Sequence, residues 1–419
     1  MNTEQLICDF HIHSRFARGC SRQITLQKLE EYARIKGLHV LGTGDFTHPT
    51  WFQEVKEHLK EDEHGILWST TGFPFIWQVE VSLMYTQGGK GRRVHHGILA
   101  PNTEVASQIR DALGKKGRLD YDGRPIFGFS SIELIDMMRD ISHDIEIIPY
   151  HMWTSWFAIF GSKSGFDSVE ECFEDRAKYI HVLETGMSST PAMNWRVSSL
   201  DRYNFVSFSD NHSYWPWRMG REATIFNCGL TYKNILHALR TGEHLASTIE
   251  TYPEYGKYHF DGHRNCDVFL HPPESKKLGC VCPKCKRELT IGVAYRVEEL
   301  ADREPGYVRK GAPSFTCALP LTELIAAVYG VTILTGKKVW ATYNKLIQAF
   351  GNEYTVLFDV PFEDLLKHIP EQLARVILKN RDGTLALKPG YDGVYGEVIL
   401  DTTETFSPPR TNKKTLDTF

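Results

Sequence analysis

Residues 9–16 read DFHIHSRF, with His11 and His13 one residue apart. Alternate residues of an extended strand point to the same side, so both imidazoles would face one way. Two histidines make at most half of a metal site. The missing ligands are expected on other strands of the same layer. Short runs rich in Val, Ile and Phe recur up to about residue 250: LICDFHIH (6–13), HVLGTGDF (39–46), FIWQVEVSLM (75–84), VHHGILAP (94–101), IEIIPYHM (145–152), YIHVLETG (179–186) and NFVSFSDNH (204–212). Amphipathic segments such as LQKLEEYARIKG (26–37) lie between several of them, this one ending on a glycine as a helix does. Strand–helix alternation predicts an α/β fold with a parallel sheet, open or closed as a barrel.

The 419 residues are 42% hydrophobic and 24% charged, enough for one large domain and smaller ones beside it. The first residues lack a basic region followed by an apolar run, and no segment reaches the ~18 consecutive apolar residues of a membrane span. A cytoplasmic protein is expected, working alongside the nucleoid DNA. Nine cysteines, three of them in CVCPKC (280–285), suit metal binding better than a disulfide framework. A net charge of −4 gives no global nucleic-acid signature, although local patches and bound cations can supply attraction that a total hides.

At the C-terminal ends of the expected strands stand His11 and His13, Asp45, Glu80, His95 or His96, His151, Glu184, and then Asp210 and His212. Any one of them could be a satisfied core residue. Together, each ending a strand where α/β folds build their sites, they form a donor set for two or three divalent ions: Zn, or else Mn, Fe or Mg.

The order HxH, D, E, H, H, DxH resembles the PHP (polymerase and histidinol phosphatase) family over roughly residues 6–225. DFHIHS, GTGDFTH, QVEV and SDNH stand as its four motifs. The resemblance implies a distorted (β/α)7 barrel over residues 1–250 whose metal cluster cleaves phosphate esters. It implies catalytic roles for His11, His13, Asp45, Glu80, Asp210 and His212, with His95 and His151 as further ligands. HHGILAPN favours His95 over His96. His48 is a weaker ligand candidate, and Glu184 is either a ligand or a carboxylate that orients a histidine. A metal-activated hydroxide would attack phosphorus in line, without a side-chain nucleophile.

From residue 251 the texture changes, with Pro, Gly, Cys and Lys crowded together. His263, Cys266, Cys282 and Cys285 have the spacing of one closed, structural zinc site, with Cys280 and His271 as rival ligands. The zinc-binding module is expected over 251–310, a mostly helical C-terminal DNA-binding domain over 311–400, and a flexible tail over 401–419. The blocks WTSWFAIFGSKSGFDSVEECF, ETGMSSTPAMNWRVSSLDRY, SDNHSYWPWRMGREAT, LTIGVAYRVEELADR and KPGYDGVYG are similar to those of the endonuclease Q family of DNA repair nucleases within this barrel class. That likeness implies hydrolysis of the phosphodiester 5′ of a deaminated base (uracil, hypoxanthine or xanthine) or an abasic site, leaving a 3′-hydroxyl and a 5′-phosphate.

Aromatics directly after His151 could wall a pocket for an extruded base, since base stacking is worth about 1–3 kcal/mol. Trp153, Trp156 and Phe157 are the candidates, with Lys163 and Arg196 for phosphate contacts, and each could equally be packing or a salt bridge. Arg218 and Arg221 are open in the same way. Competing readings are a small-molecule phosphoesterase and a non-catalytic DNA-binding accessory. A monomer is expected. The ending KTLDTF, with Leu416 and Phe419, vaguely resembles a peptide that docks on a sliding clamp.

Overall fold

The computed structural model describes residues 5–400, so the tail and its clamp-like ending lie outside the described residues. Seven strands surround the site: β1 Gln5–Asp9, β2 Val40–Gly42, β3 Pro74–Gln87, β4 Lys90–Ala100, β5 Glu146–Pro149, β6 Val182–Glu184 and β7 Asn204–Val206. Each falls in one of the expected apolar runs. Parallel pairing joins β1 to β2, β2 to β3, and β6 to β7. The Met152 N–H donates to Glu184 O (3.1 Å), linking the ends of β5 and β6. A parallel bridge from Ile12 to Asn211 brings the chain after β7 back beside the chain after β1.

The sheet is mixed, with antiparallel members where strand–helix alternation by itself predicts parallel ones. Strands β3 and β4 form one long antiparallel hairpin, and β4 pairs antiparallel with β5. The cause is Gln87-Gly88-Gly89-Lys90, where two glycines with φ of 61° and 73° make a two-residue turn whose twist matches a hairpin. The two runs read as separate α/β strands are the arms of this hairpin.

Local chemistry sets the elements around the barrel. Helix Leu26–Lys36 begins where Thr25 Oγ1 accepts from Lys28 N–H and ends on Gly37, in the left-handed region at φ 99°. It buries Leu26, Leu29 and Ala33. On the barrel's inner side, Gly97 makes room for Tyr150, because a Cβ there would lie 2.0 Å from the tyrosine ring. The Tyr150 hydroxyl donates to Phe10 O (2.6 Å) and its ring stacks on His11 at 3.6 Å, so β1, β4 and β5 are locked behind the site.

Beyond the barrel, β8 (Ala223–Asn227) pairs with β1 and β9 (Leu245–Glu250) with β8, both antiparallel. A small hairpin, β10 (Asp261–His263) and β11 (Val268–Leu270), begins the cysteine-rich module. Strand β12 (Ser314–Cys317) returns to extend the barrel sheet beside β9. The C-terminal region is helical, with Leu321–Tyr329, Lys337–Phe350 and Glu371–Arg381 closing over Leu324, Ile325, Val339, Leu346, Leu373 and Ile377. No helix among the described residues is long and apolar enough to cross a membrane.

Candidate metal centre

The turn out of β1 places His11 and His13, both fully buried, over the carboxylate of Glu80 in β3. His11 Nε2 lies 3.5 Å from Glu80 Oε1, and His13 Nε2 lies 3.2 Å from Oε2. Asp210 Oδ1 reaches the same two nitrogens at 3.4 and 3.3 Å. On its other side Glu80 Oε1 meets His95 Nδ1 (2.7 Å) and His151 Nε2 (3.2 Å). Two groups of donors therefore adjoin and share Glu80: His11, His13, Glu80 and Asp210 in one, and Glu80, His95 and His151 in the other, each within 4.8 Å. Strand alternation separates His95 from His96, whose Nε2 lies 2.9 Å from Ser131 Oγ on the opposite face.

Two further carboxylates hold the histidines from behind. Glu184 Oε1 is 2.9 Å from His11 Nδ1, and Glu184 Oε2 accepts from the His151 N–H (2.6 Å). Asp45 Oδ1 is 3.0 Å from His13 Nδ1, while its Oδ2 accepts from the N–H and hydroxyl of Ser14 (2.6 and 2.7 Å). Each carboxylate fixes one ring through Nδ1 and leaves Nε2 facing the shared centre, as in metal sites with orienting carboxylates. Of the other expected residues, His212 stands at the rim, its ring 4.8 Å from that of His13 and its Nδ1 3.5 Å from Asp210 Oδ1. The structure does not bring His48 into either group: it precedes helix Pro49–His58 and stacks on Phe16 at 4.1 Å.

Three of these residues hold sparsely populated backbone conformations: Asp45 at φ 43°, His151 at 32° and Asp210 at 45°. Non-glycine residues in this region cost of order 1–3 kcal/mol each and cluster at functional sites. Gly186 helps hold His151, since a Cβ on it would lie 2.7 Å from the histidine's own Cβ.

Electrostatics tests whether the donors suit a cation. Nε2 of His11, Nε2 of His13 and Oδ1 of Asp210 are buried with no hydrogen-bond partner. Burial opposes a charge on His11, yet the carboxylates of Glu184, Asp210 and Glu80 raise it to about 10, and His13 is likewise held well above its ordinary value against burial, by Asp45 and Asp210. Glu80 and Asp210 are held well below the usual carboxylate range, against burial, by the surrounding cationic groups. Burial, by contrast, lowers His95 to about 4, keeping it neutral. A pocket that draws protons onto buried histidines is one that a divalent cation fits, displacing those protons.

Sequence reasoning missed Arg124. Its Nη1 lies 3.0 Å from Glu80 Oε2, and its side chain is 23% exposed, so it runs from solvent to the centre. Asp122 Oδ1 fixes the loop by accepting from the N–H groups of Arg124 and Arg18 (both 3.1 Å). Gly123 lets that loop close on Asp45, because a Cβ there would lie 2.3 Å from Asp45 Oδ2. The Asp-Gly turn in YDGRP was the only sequence hint.

The second expected site also assembles: His263, Cys266, Cys282 and Cys285 converge within 4.8 Å. Cys282 is lowered to about 6, desolvation being outweighed by N–H donors of Cys285 and Lys284. The rivals face elsewhere. Cys280 Sγ donates to Tyr295 Oη (3.5 Å), and His271 packs on Phe260 and begins helix Pro272–Lys277.

Among the pocket candidates, Trp153 is buried, packs at a tilt against Phe160 with ring centres 4.8 Å apart, and donates to Asn194 Oδ1 (2.5 Å), which makes it packing. Arg196 is engaged by Glu298 at 2.7 Å. Phe157 (φ 61°) places its ring 4.6 Å from His95, and Trp156 is 39% exposed beside it. Lys163 is exposed on the same loop. Arg221 braces the SDNH segment through Ser209 O (2.9 Å).

The MJ0043 C-terminal domain family model matches residues 320–384, within the helical region. The uncharacterized protein YqxK of Bacillus subtilis is 28% identical over 414 residues, covering 94% of this chain and 99% of that protein. The uncharacterized protein MJ0043 of Methanocaldococcus jannaschii is 30% identical over 255 residues, covering 59% of this chain, which spans only 31% of that protein. The crystal structure of the lesion-specific endonuclease PfuEndoQ from Pyrococcus furiosus matches with a TM-score of 0.84 at 29% identity, over 94% of this chain and 95% of that one. An endonuclease Q complex with a 27-mer duplex carrying an abasic lesion at its active site matches with the same TM-score of 0.84 and 29% identity, over 95% and 97%.

Proposed function

We propose that this chain, an endonuclease Q-like protein, is a metal-dependent DNA hydrolase that cuts the phosphodiester 5′ of a deaminated base (uracil, hypoxanthine or xanthine) or an abasic site. The observation that carries the reading is the pair of donor groups sharing Glu80, with Arg124 rising beside them to solvent. The full-length likeness to a lesion-specific endonuclease supports a DNA substrate. A small-molecule phosphoesterase would use the same metals but leave the cysteine-rich module and the helical domain without a task. With this substrate the protein would work in the cytoplasm on the nucleoid DNA, and we take it to act as a monomer.

His11, His13, Glu80 and Asp210 would hold one divalent ion, and Glu80, His95 and His151 a neighbouring one, with His212 at the rim. Zinc or a similar ion held there would supply Lewis acidity and bring the pKa of a water down to about 7. The chain's own residues do the rest. Glu184 and Asp45 hold His11 and His13 in the tautomer that offers Nε2. Arg124 donates to a non-bridging oxygen of the scissile phosphate, where its planar fork fits better than an ammonium. Phe157 and Trp156 form the wall against which an extruded base stacks, and Lys163 meets a neighbouring phosphate. His263, Cys266, Cys282 and Cys285 would hold a structural zinc.

The test is an incubation of end-labelled duplexes carrying one uracil, hypoxanthine or abasic site with metal-loaded protein, beside an undamaged duplex and a phosphomonoester. Nicking on the 5′ side of the lesion, leaving a 3′-hydroxyl, is expected. Monoester turnover without nicking would replace the reading by the phosphoesterase, and binding without cutting would replace it by the accessory.

A further inference from the structure

We infer that Trp156, Tyr258, Val394 and Tyr395, with Lys257 and Arg264, form one aromatic and basic ridge on which the protein holds a DNA strand beside the lesion. This rests on the nuclease reading above and names a contact surface for it. The residues come from three distant segments. Trp156 lies on the loop after β5, while Lys257, Tyr258 and Arg264 flank strand β10, and Val394 and Tyr395 belong to the final KPGYDGVYG turn.

Trp156 packs edge-on against Tyr258, with ring centres 5.6 Å apart at 74°. Lys257 Nζ sits 4.5 Å above the ring of Tyr395. Gly393, at φ 86°, allows the turn to lie flat, since a Cβ there would come within 3.3 Å of the Arg264 guanidinium and 3.6 Å of the Tyr258 hydroxyl. Backbone bonds stitch the turn down: Gly390 N–H to Glu254 O (2.8 Å), Gly393 N–H to Lys257 O (3.0 Å) and Gly396 N–H to Tyr255 O (3.1 Å). Beneath it Tyr391 is buried and donates to Asp267 (2.6 Å).

A surface so firmly held nevertheless leaves Trp156, Val394 and Tyr395 exposed by 39%, 37% and 45%. Large apolar side chains grouped in solvent mark a contact surface. Cations placed among them specify the partner: a nucleic-acid strand alternates flat π-faces with phosphates, and aromatic rings interleaved with Lys and Arg match that alternation. The ridge is also continuous with the metal centre, because Phe157, next to Trp156, lies on His95 at 4.6 Å. A strand bound here would leave the centre at the lesion and continue toward the cysteine-rich module.

The experiment compares wild type with Y395S and the double variant Y395S/K257S, all metal-loaded. The probe is a duplex with one uracil and a 2-aminopurine opposite it, and the readouts are Kd, 2-aminopurine fluorescence and nicking. Loss of about tenfold in affinity for the lesion duplex in Y395S, more in the double variant, is expected, given the usual worth of stacking on an aromatic side chain. Metal content and melting temperature should not move, since both side chains are exposed. If wild type nicks and both variants bind with its Kd and fluorescence change, the ridge is overturned and the nuclease reading stands. If wild type neither binds nor nicks any lesion duplex, the nuclease reading falls and takes the ridge with it.

Discussion

Glu80 offers a carboxylate oxygen to both donor groups, whereas Glu184 and Asp45 each meet one histidine ring from behind, Glu184 also accepting from the His151 N–H. Their variants should therefore separate by degree. Glu80→Gln should lose metal from both groups and with it all phosphodiester cleavage, while Glu184→Gln should weaken metal binding by about 10–100-fold, as loss of an orienting partner does. Metal analysis after dialysis against graded chelator measures both, and equal retention in the two variants would refute the sharing of Glu80. Arg124 touches the centre without offering a ligand atom. Arg124→Lys should keep the metals and lower kcat/KM by about 10²–10³, comparable to removing one preorganised donor to a developing charge. Steady-state kinetics with metal content in parallel decides it, and unchanged kinetics would remove Arg124 from the phosphate. The two roles were not equally legible beforehand. Period-two spacing exposes His11 and His13, but nothing in GTGDFTH distinguishes a carboxylate on the metal from one on the back of a histidine. Arg124 escaped notice because its partner lies 44 residues earlier and only the folded 121–125 loop joins them.

At the scale of elements, the strands after the barrel carry a buried acid pair. Glu222, just before β8, has Oε2 2.9 Å from Ser207 Oγ and accepts from the Thr251 N–H at 3.0 Å. Glu250, the last residue of β9, accepts from Thr185 Oγ1 (2.8 Å) and Thr248 Oγ1 (2.5 Å). Burial, then mutual repulsion, raises Glu222 well above its ordinary value, and burial raises Glu250 as well. A raised folded-state carboxyl binds its proton more tightly in the native than in the unfolded chain. The stabilisation is then fully present below the ordinary value of 4.5 and is lost as pH rises toward the raised folded value. Glu250→Gln should flatten this decline, so that the variant loses less stability than wild type between pH 5 and 8 in urea titrations. A parallel decline in both proteins would contradict the assignment. The element scale also shows where sequence reasoning reached and where it stopped. Gly37 marks the end of a helix in both sequence and structure, since a cap is local chemistry. The Gly88-Gly89 turn is equally local, yet strand–helix rhythm alone predicts parallel neighbours where the chain forms an antiparallel hairpin.

Over the whole molecule, the helical C-terminal region is fastened to the loop that supplies Asp210 and His212. Lys36, at the end of the first barrel helix, is 1% exposed, and its Nζ lies 2.8 Å from Glu353 Oε1 in the C-terminal region. The same ammonium donates to Pro216 O (2.8 Å), four residues beyond His212. Glu353 is satisfied further by the Leu321 N–H (2.9 Å) and the Tyr343 hydroxyl (2.8 Å). Tyr354 donates to Gly220 O (2.5 Å), and Trp340 packs on Trp215 at 5.5 Å. No local pattern marks Lys36 among the other lysines of amphipathic helices, because its role depends on a partner 317 residues away. Removing one member of such a buried pair costs about 3–5 kcal/mol, because the other is left charged and unpaired. Lys36→Met should destabilise the chain by that order, and Lys36→Met/Glu353→Gln should recover part of it, because glutamine is uncharged and its carbonyl can still accept from Leu321. The single variant should also hold metal less firmly, since Pro216 loses its donor and the segment carrying Asp210 and His212 is freed. Urea unfolding of both variants, with metal retention measured well below the transition, tests the two consequences separately. A single variant as stable as wild type would show the pair to be dispensable. One that is destabilised yet retains its metals fully would show that the C-terminal region braces the fold without bracing the centre.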